Sequence, residues 1–478
     1  MRKSIACIIV ITIAAMACNS APEAINLKRE SSGTFIAKLP PDANSQYVGV
    51  GGTFVPGLAG RQGGIRVSPD GKRVAFIYHL LGRSAVVVDG KTEKDYDRIV
   101  GNPTFSPDSK HIAYVADEGG KLFVVVDGKK YKQYESMSSA SLTFSPDSKQ
   151  VAYIAKTGPK MIMVVGQKES KPYDGFLKNN FCFSPDGSHT AYAAVLGEKV
   201  FVVTDGKEGK SYTNIASLVF SPDSRRLAYV ASLGNKLAVV ADGKEQKQYD
   251  GVVDGTLLFS PDSRRVAYAA GTANKQSVVV DGEEGEPYDG VSGGSITFSP
   301  NSGRIAYVAK VDDKWSVVLD GEVQRHDSAG LGGFTFSPDS TRVAYAAKQG
   351  SKQFVVVDGK EGEQYDNIGK GTIVFSPDSK RVAYGAKIGD KSVVVIDGKQ
   401  QKQYDDIDDI AFTPDSKHVT YMAKADYKWF VAIGGTEGNQ YQEIVKGVNR
   451  GIVFDSHNQL HYIAIKDGVI YLVQEVLR

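Results

Sequence analysis

Residues Gly371 to Asp409 read GTIVFSPDSKRVAYGAKIGDKSVVVIDGKQQKQYDDIDD, and nearly all of the chain is built from variants of this stretch. Its apolar run TIVF stops at Ser376-Pro377-Asp378-Ser379. There the proline fixes φ and the short Asp and Ser side chains bond nearby backbone, as a tight turn requires. A second run, RVAYGAK, is rich in small, β-branched and aromatic residues; it ends at Gly389-Asp390-Lys391, after which SVVVI begins. Asp397-Gly398 then supplies the dipeptide that best tolerates the positive φ angles of a two-residue hairpin, and a short polar strand follows around Gln403-Tyr404-Asp405. The pattern predicts a four-stranded antiparallel meander.

The S-P-D aspartate or its equivalent recurs at 70, 108, 147, 186, 223, 262, 301 (Asn), 339, 378 and 415, a spacing of 37 to 39 residues. An eleventh, decayed copy is VFDSHNQLHYIAI, whose Val453-Phe454 match the first strand although the turn has lost its proline. The D-G turn keeps the same phase, with Gly166 and Gly434 in place of Asp in two copies, and an aromatic follows it: Tyr96, Tyr134, Tyr173, Tyr212, Tyr249, Tyr288, Tyr365, Tyr404 and Tyr441, with His326 as the exception. One small sheet cannot bury both its faces until neighbours stack on it, so four strands at this period signify a propeller blade. The expected fold is all-β, a β-propeller of about eleven four-stranded blades.

The strings FSPDSTRVAY at Phe336 to Tyr345 and FSPDSKRVAY at Phe375 to Tyr384 resemble the WD-repeat-like β-propeller repeats of the TolB type, over about residues 65 to 465. The resemblance implies the fold and, loosely, a cell-envelope scaffold that holds other proteins. TolB proteins carry an α/β domain before the propeller, whereas only about thirty residues here separate the leader from the first blade region, so their role is not transferred.

Single propellers hold about four to eight blades. Eleven copies therefore predict two tandem rings, residues 34–255 with blades 1–5 and 256–478 with blades 6–11, split near Gly251 to Gly255. One large ring is the alternative, because no linker interrupts the array; the last copy lacks a fourth strand that Tyr47 to Val55 would donate.

The first residues, MRKSIACIIVITIAAMAC, combine Arg2 and Lys3, an apolar run from Ile5 to Ala17 and small residues before Cys18. This reads as an export signal over 1–17. Ala15-Met16-Ala17-Cys18 resembles a bacterial lipobox, with Ala and Met at positions where the usual pattern differs, and implies lipidation at Cys18, a polar tether over 18–33 and an exported, membrane-anchored lipoprotein of the periplasm or cell surface. Cys182, the one cysteine remaining, lies in the apolar run NFCF and reads as a buried small side chain rather than a nucleophile. No Cys/His spacing suits a metal, and no cofactor is expected. The formal charge is +2, from 57 Lys and Arg against 55 Asp and Glu. That balance excludes a strongly basic nucleic-acid groove, and nucleic acid is not an expected partner.

Successive turns of a meander alternate ends, so the S-P-D and D-G turns share one face. The opposite face collects the links between second and third strands, such as Asp117 to Gly120, Val311 to Asp313 and Ala425 to Tyr427, with the crossings between blades, such as Asp405 to Asp409. These differ from copy to copy and mark the candidate binding face for an envelope protein or a glycan. Its candidate contacts are Trp315 and Trp429, each opening a third strand, together with Tyr427, Asp405, Asp406, Asp408 and Asp409. The acidic run is read as a solvated loop rather than a calcium site. Gly290-Val291-Ser292-Gly293-Gly294 matches a nucleophile elbow, but a strand, SITF, follows it where a helix is needed. No catalytic residue is assigned and no enzymatic activity expected; a propeller glycan lyase or hydrolase is the alternative, and an envelope scaffold a second one.

Overall fold

In the run IAYVADE, Ala113 and Val115 point one way while Tyr114 and Ala116 point the other, and both sets are buried. Ala113 and Val115 pack with Tyr153 and Ala155 of the following copy, and Tyr114 and Ala116 with Ala75 and Tyr96 of the preceding one. A strand covered on both faces needs no polar alternation, which is why these runs are apolar throughout. The computed structural model describes residues 29–38, 48–50, 53–55 and 64–477, apart from 273, 327 and 448–449. Cys18 and the whole leader lie outside the described residues, as does Tyr47.

Eleven antiparallel sheets follow one another, with blades 1 to 11 beginning at Arg66, Arg98, Ser136, Gly175, Ile215, Gly251, Gly290, Ser328, Asn367, Asp406 and Glu443. Within blades 1 to 10 the strands pair in chain order, first to fourth. Neighbouring blades touch through their first strands, as Arg98–Phe105 does with Ser136–Phe144, so the first strand is innermost. In blades 2 to 11 the first strand is broken or bulged midway, as between Asp408 and Ala411, and in blade 9 it divides into Asn367–Ile368 and Val374–Phe375.

The eleven blades form one ring, which corrects the expectation of two. The seam between blades 5 and 6, where the split was placed, carries the same contacts as its neighbours. Asp223 N donates to Ser263 Oγ at 2.9 Å, Arg226 reaches the Ser263 carbonyl at 3.0 Å, and Tyr249 meets Tyr268 edge-on at 6.2 Å. Closure follows the same logic: Arg29–Lys38 pairs antiparallel with Val469–Leu477 as the outer strand of blade 11, and Ile65, Val67, Val74 and Phe76 of blade 1 pack with Ile463, Ile465 and Ile470. The donated strand is thus Arg29–Lys38, not the segment around Val48 to Val55, which forms a separate two-stranded hairpin. The last residues of the expected tether, Arg29 to Gly33, belong to it. At most seams a Tyr of one blade packs against small Ala and Val side chains of its neighbour, as Tyr153 does with Ala113 and Val115, which lets the sheets lie close along their length; the closing seam uses Ile463, Ile465 and Phe76 instead.

Candidate functional site

The S-P-D turn is a structural joint. Ser376 Oγ donates to Asp378 Oδ1 at 2.6 Å and accepts from Arg381 N at 2.9 Å, while Asp378 N donates to Ser416 Oγ of the next blade at 3.0 Å. Arg342 ties three elements: Nε to Asp358 of its own D-G turn at 2.8 Å, the terminal nitrogen to the Ser379 and Lys380 carbonyls of the next blade, and its plane over Phe375. His111 and His189 take the arginine's place against Asp127 and Asp205. The S-P-D and D-G turns do share a face, and their aspartates are spent on the fold. Hydrogen bonds from Ser376 and from the Lys380 amide hold the Asp378 carboxyl below its usual range.

On the opposite face the candidate residues separate. Tyr427 is 88% exposed at a hairpin tip, with φ of 62° beside Asp426 at 48°. Trp315 is 38% exposed and stands opposite Lys310. Trp429 is more covered: its backbone bridges Tyr441, Lys424 Nζ lies 5.7 Å above its ring, and it packs at the seam of blades 10 and 11. The two tryptophans belong to blades 7 and 10 and do not come together, whereas Tyr427 and Trp429 share one hairpin.

The acidic run is largely absorbed by the fold. Asp405 bonds Lys391 Nζ at 2.6 Å and accepts from Asp426 N of the next blade at 3.1 Å. Asp174 and Asp366 do the same with Lys160 and Gly197, and with Lys352 and Gly389. Asp405 therefore stands at a repeated joint, the residue after the repeat tyrosine, and Lys391 holds its carboxyl low. Asp408 pairs with Lys446, and Asp409 Oδ2 accepts from Gly451 N at 2.8 Å and Ile452 N at 2.7 Å. Burial pushes the Asp409 carboxyl up against the pull of those amides. Asp406 alone stays exposed with only a local bond, to Ile407 N. Among the described residues no group of three or more His, Cys, Asp or Glu is placed to hold a metal. Cys182 is half-buried with its thiol pushed up to about 12 by desolvation, and the G-x-S-x-G string falls in the broken first strand of blade 7.

One feature escaped the sequence reading. A cavity of about 280 Å³ opens against the inner strands of blades 8, 9 and 10, and Arg450 of blade 11 reaches into it. Its signal lay where the repeat decays: four residues before the phenylalanine that closes each first strand, most copies have a small residue, such as Gly101, Gly255, Gly294 or Gly371, and the eleventh has arginine.

No family model matches the chain, and no curated protein matches it. The TolB-type resemblance thus rests on the repeated strings alone. Solved structures that align with it include a eukaryotic initiation factor, at 13% identity and TM-score 0.40, covering 78% of this chain and 96% of that one. The β-propeller domain of Myceliophteria thermophila Cps50 (Swd1) aligns at 11% identity and TM-score 0.26, covering 52% and 94%. That of the Trilobed protease from Pyrococcus furiosus, described as having an open velcro topology, aligns at 13% and 0.27, covering 56% and 94%.

Proposed function

We propose that this chain is a non-enzymatic binding propeller, exported and held at a membrane through lipid on Cys18, that engages an envelope protein or a glycan through the face opposite its S-P-D turns. The observation that carries the reading is Tyr427. Left-handed backbone costs a bulky residue about 1 kcal/mol or more, and glycine takes that conformation freely at the corresponding turn position of other blades, as at Gly82 and Gly120. A side chain kept there at 88% exposure serves no packing. Trp315 and Asp406 extend the same face, while Trp429 and Lys424 support the hairpin from beneath.

The test uses envelope extracts and a glycan array probed with the wild-type chain, Tyr427→Ala and Trp315→Ala. Binding should fall in both variants with the thermal midpoint nearly unchanged; equal binding by all three proteins would reject the face. Cys18→Ser should move the protein from the membrane to the soluble fraction.

A further inference from the structure

We infer a second site, inside the ring, that takes a small carboxylic acid with an aromatic or branched apolar body. Its wall is supplied by Phe336 and Pro338 of blade 8, Ile373, Val374 and Pro377 of blade 9 and Ala411 of blade 10, around a cavity of about 280 Å³. Inner strands have no further blade to cover them on the axis side, so Ile373, Val374 and Phe375 stay only half-buried although they are apolar. An apolar concavity with few polar groups is what a small-molecule site requires, and this volume suits roughly a dozen non-hydrogen atoms.

The single cation decides the ligand's polar end. Arg304, Arg342 and Arg381 stack over Phe336, Phe375 and Phe412, but each gives its Nε to a D-G aspartate, Asp320, Asp358 or Asp397. Arg450 differs, since its side chain makes no hydrogen bond or ion pair among the described residues. Asp409, the acid within its electrostatic reach, has Oδ2 occupied by the Gly451 and Ile452 amides. The guanidinium thus retains its planar fork of donors, which matches a carboxylate in bidentate fashion. A neutral body against the blade wall and one carboxylate on Arg450 satisfy both halves of the site. A dianion would leave its second charge against proline and phenylalanine, at the cost of burying an unpaired charge.

This site is separate from the loop face, so the failure of either leaves the other standing. The experiment titrates the full chain with 4-phenylbutyrate and, separately, with its uncharged amide by calorimetry, using wild type, Arg450→Gln, Arg450→Lys and Ile373→Trp, each checked by thermal melting. The acid should bind wild type saturably at one site and about tenfold more tightly than the amide, the worth of a charge-assisted contact. Arg450→Gln should erase that preference, Arg450→Lys should keep part of it, and Ile373→Trp should block both ligands by filling the cavity. The proposal is overturned if the acid shows no saturable binding at millimolar concentration or if wild type binds acid and amide alike. Retention of the acid preference by a folded Arg450→Gln protein overturns it too.

Discussion

Glu443 is buried in the first strand of blade 11, opposite Ile465, and desolvation pushes its carboxyl up to about 7 from an ordinary 4.5. The folded state therefore holds a proton that the unfolded chain releases. Its stabilising effect is fully present below about pH 4.5, declines as pH rises, and is gone above about 7, with about 3 kcal/mol as the upper bound of the change. Glu443→Gln keeps the shape and removes the titration. The difference in urea midpoint between variant and wild type should grow in the variant's favour from pH 5 to pH 8; a difference flat with pH would show that Glu443 does not titrate in this window. Tyr427 poses the converse case, a residue at odds with its own backbone. Tyr427→Gly should raise stability by about 0.5–1 kcal/mol in thermal melts, because glycine adopts φ of 62° without strain.

Between elements, the arginine that precedes the second strand in blades 1, 5, 6, 7, 8 and 9 does more for the ring than the charges beside it. Arg342 is held by Asp358, by two carbonyls of the next blade and by the Phe375 ring, so Arg342→Ala removes an ion pair, two hydrogen bonds and a stacking contact at one seam. The expected loss is about 1–3 kcal/mol. Arg264 lies one residue earlier in its own copy, exposed, and Arg264→Ala should change stability by less than about 0.5 kcal/mol. Comparing chemical-denaturation midpoints of the two variants checks this, and equal losses would show that the arginines act only through net charge. The tyrosine pairs work at the outer edge of the same seams. Tyr134 meets Tyr153 at 6.2 Å and donates to Glu169, which also takes Lys132. Such an edge-to-face pair adds about 0.5–1.5 kcal/mol beyond the area it buries.

For the molecule as a whole, the critical seam is the one between the last blade and the first. Here the repeat's usual turn serine is Gly71, with φ of 70°. Conformation is not the reason, because Ser109 and Ser379 hold nearly the same φ. Space is: a Cβ at Gly71 would stand 2.9 Å from Val453 Cγ2 and 3.0 Å from His461 Nε2. The buried His461 ring fills that place, with Nε2 donating to the Asp70 carbonyl at 2.8 Å and Nδ1 against Asp455 at 2.7 Å, while Lys72 crosses to Asp455. Gly71→Ser should therefore destabilise the ring by about 1–3 kcal/mol through overpacking, and Gly71→Ser with His461→Ala should lose less than the sum of the two single changes. Additive losses in thermal melts would show that the two residues are not coupled across the seam.

Blade architecture was legible in the residues alone, because strand runs, S-P-D turns and D-G turns are specified by local chemistry: proline fixes φ, Asp and Ser bond nearby backbone, and short β-branched runs bounded by such turns read as strands. Which loops share a face followed from strand alternation. The number of rings did not follow, since each copy specifies only its contact with a neighbour, and the small angular step that lets eleven blades close is a property of all the seams together. The donor of the last outer strand was equally hidden, because Arg29–Lys38 is too polar to announce a strand until Val469–Leu477 offers it an edge. Among the candidate contacts, Tyr427 stands exposed at its hairpin tip, whereas Asp405 looked free only because its partners, Lys391 and the Asp426 amide, are brought to it by its own hairpin and by the next blade. Arg450 was one basic residue among 57 in the sequence. Only the tertiary structure decided that it overhangs the inner strands of three other blades, because curvature about a common axis brings together side chains that lie more than a hundred residues apart along the chain.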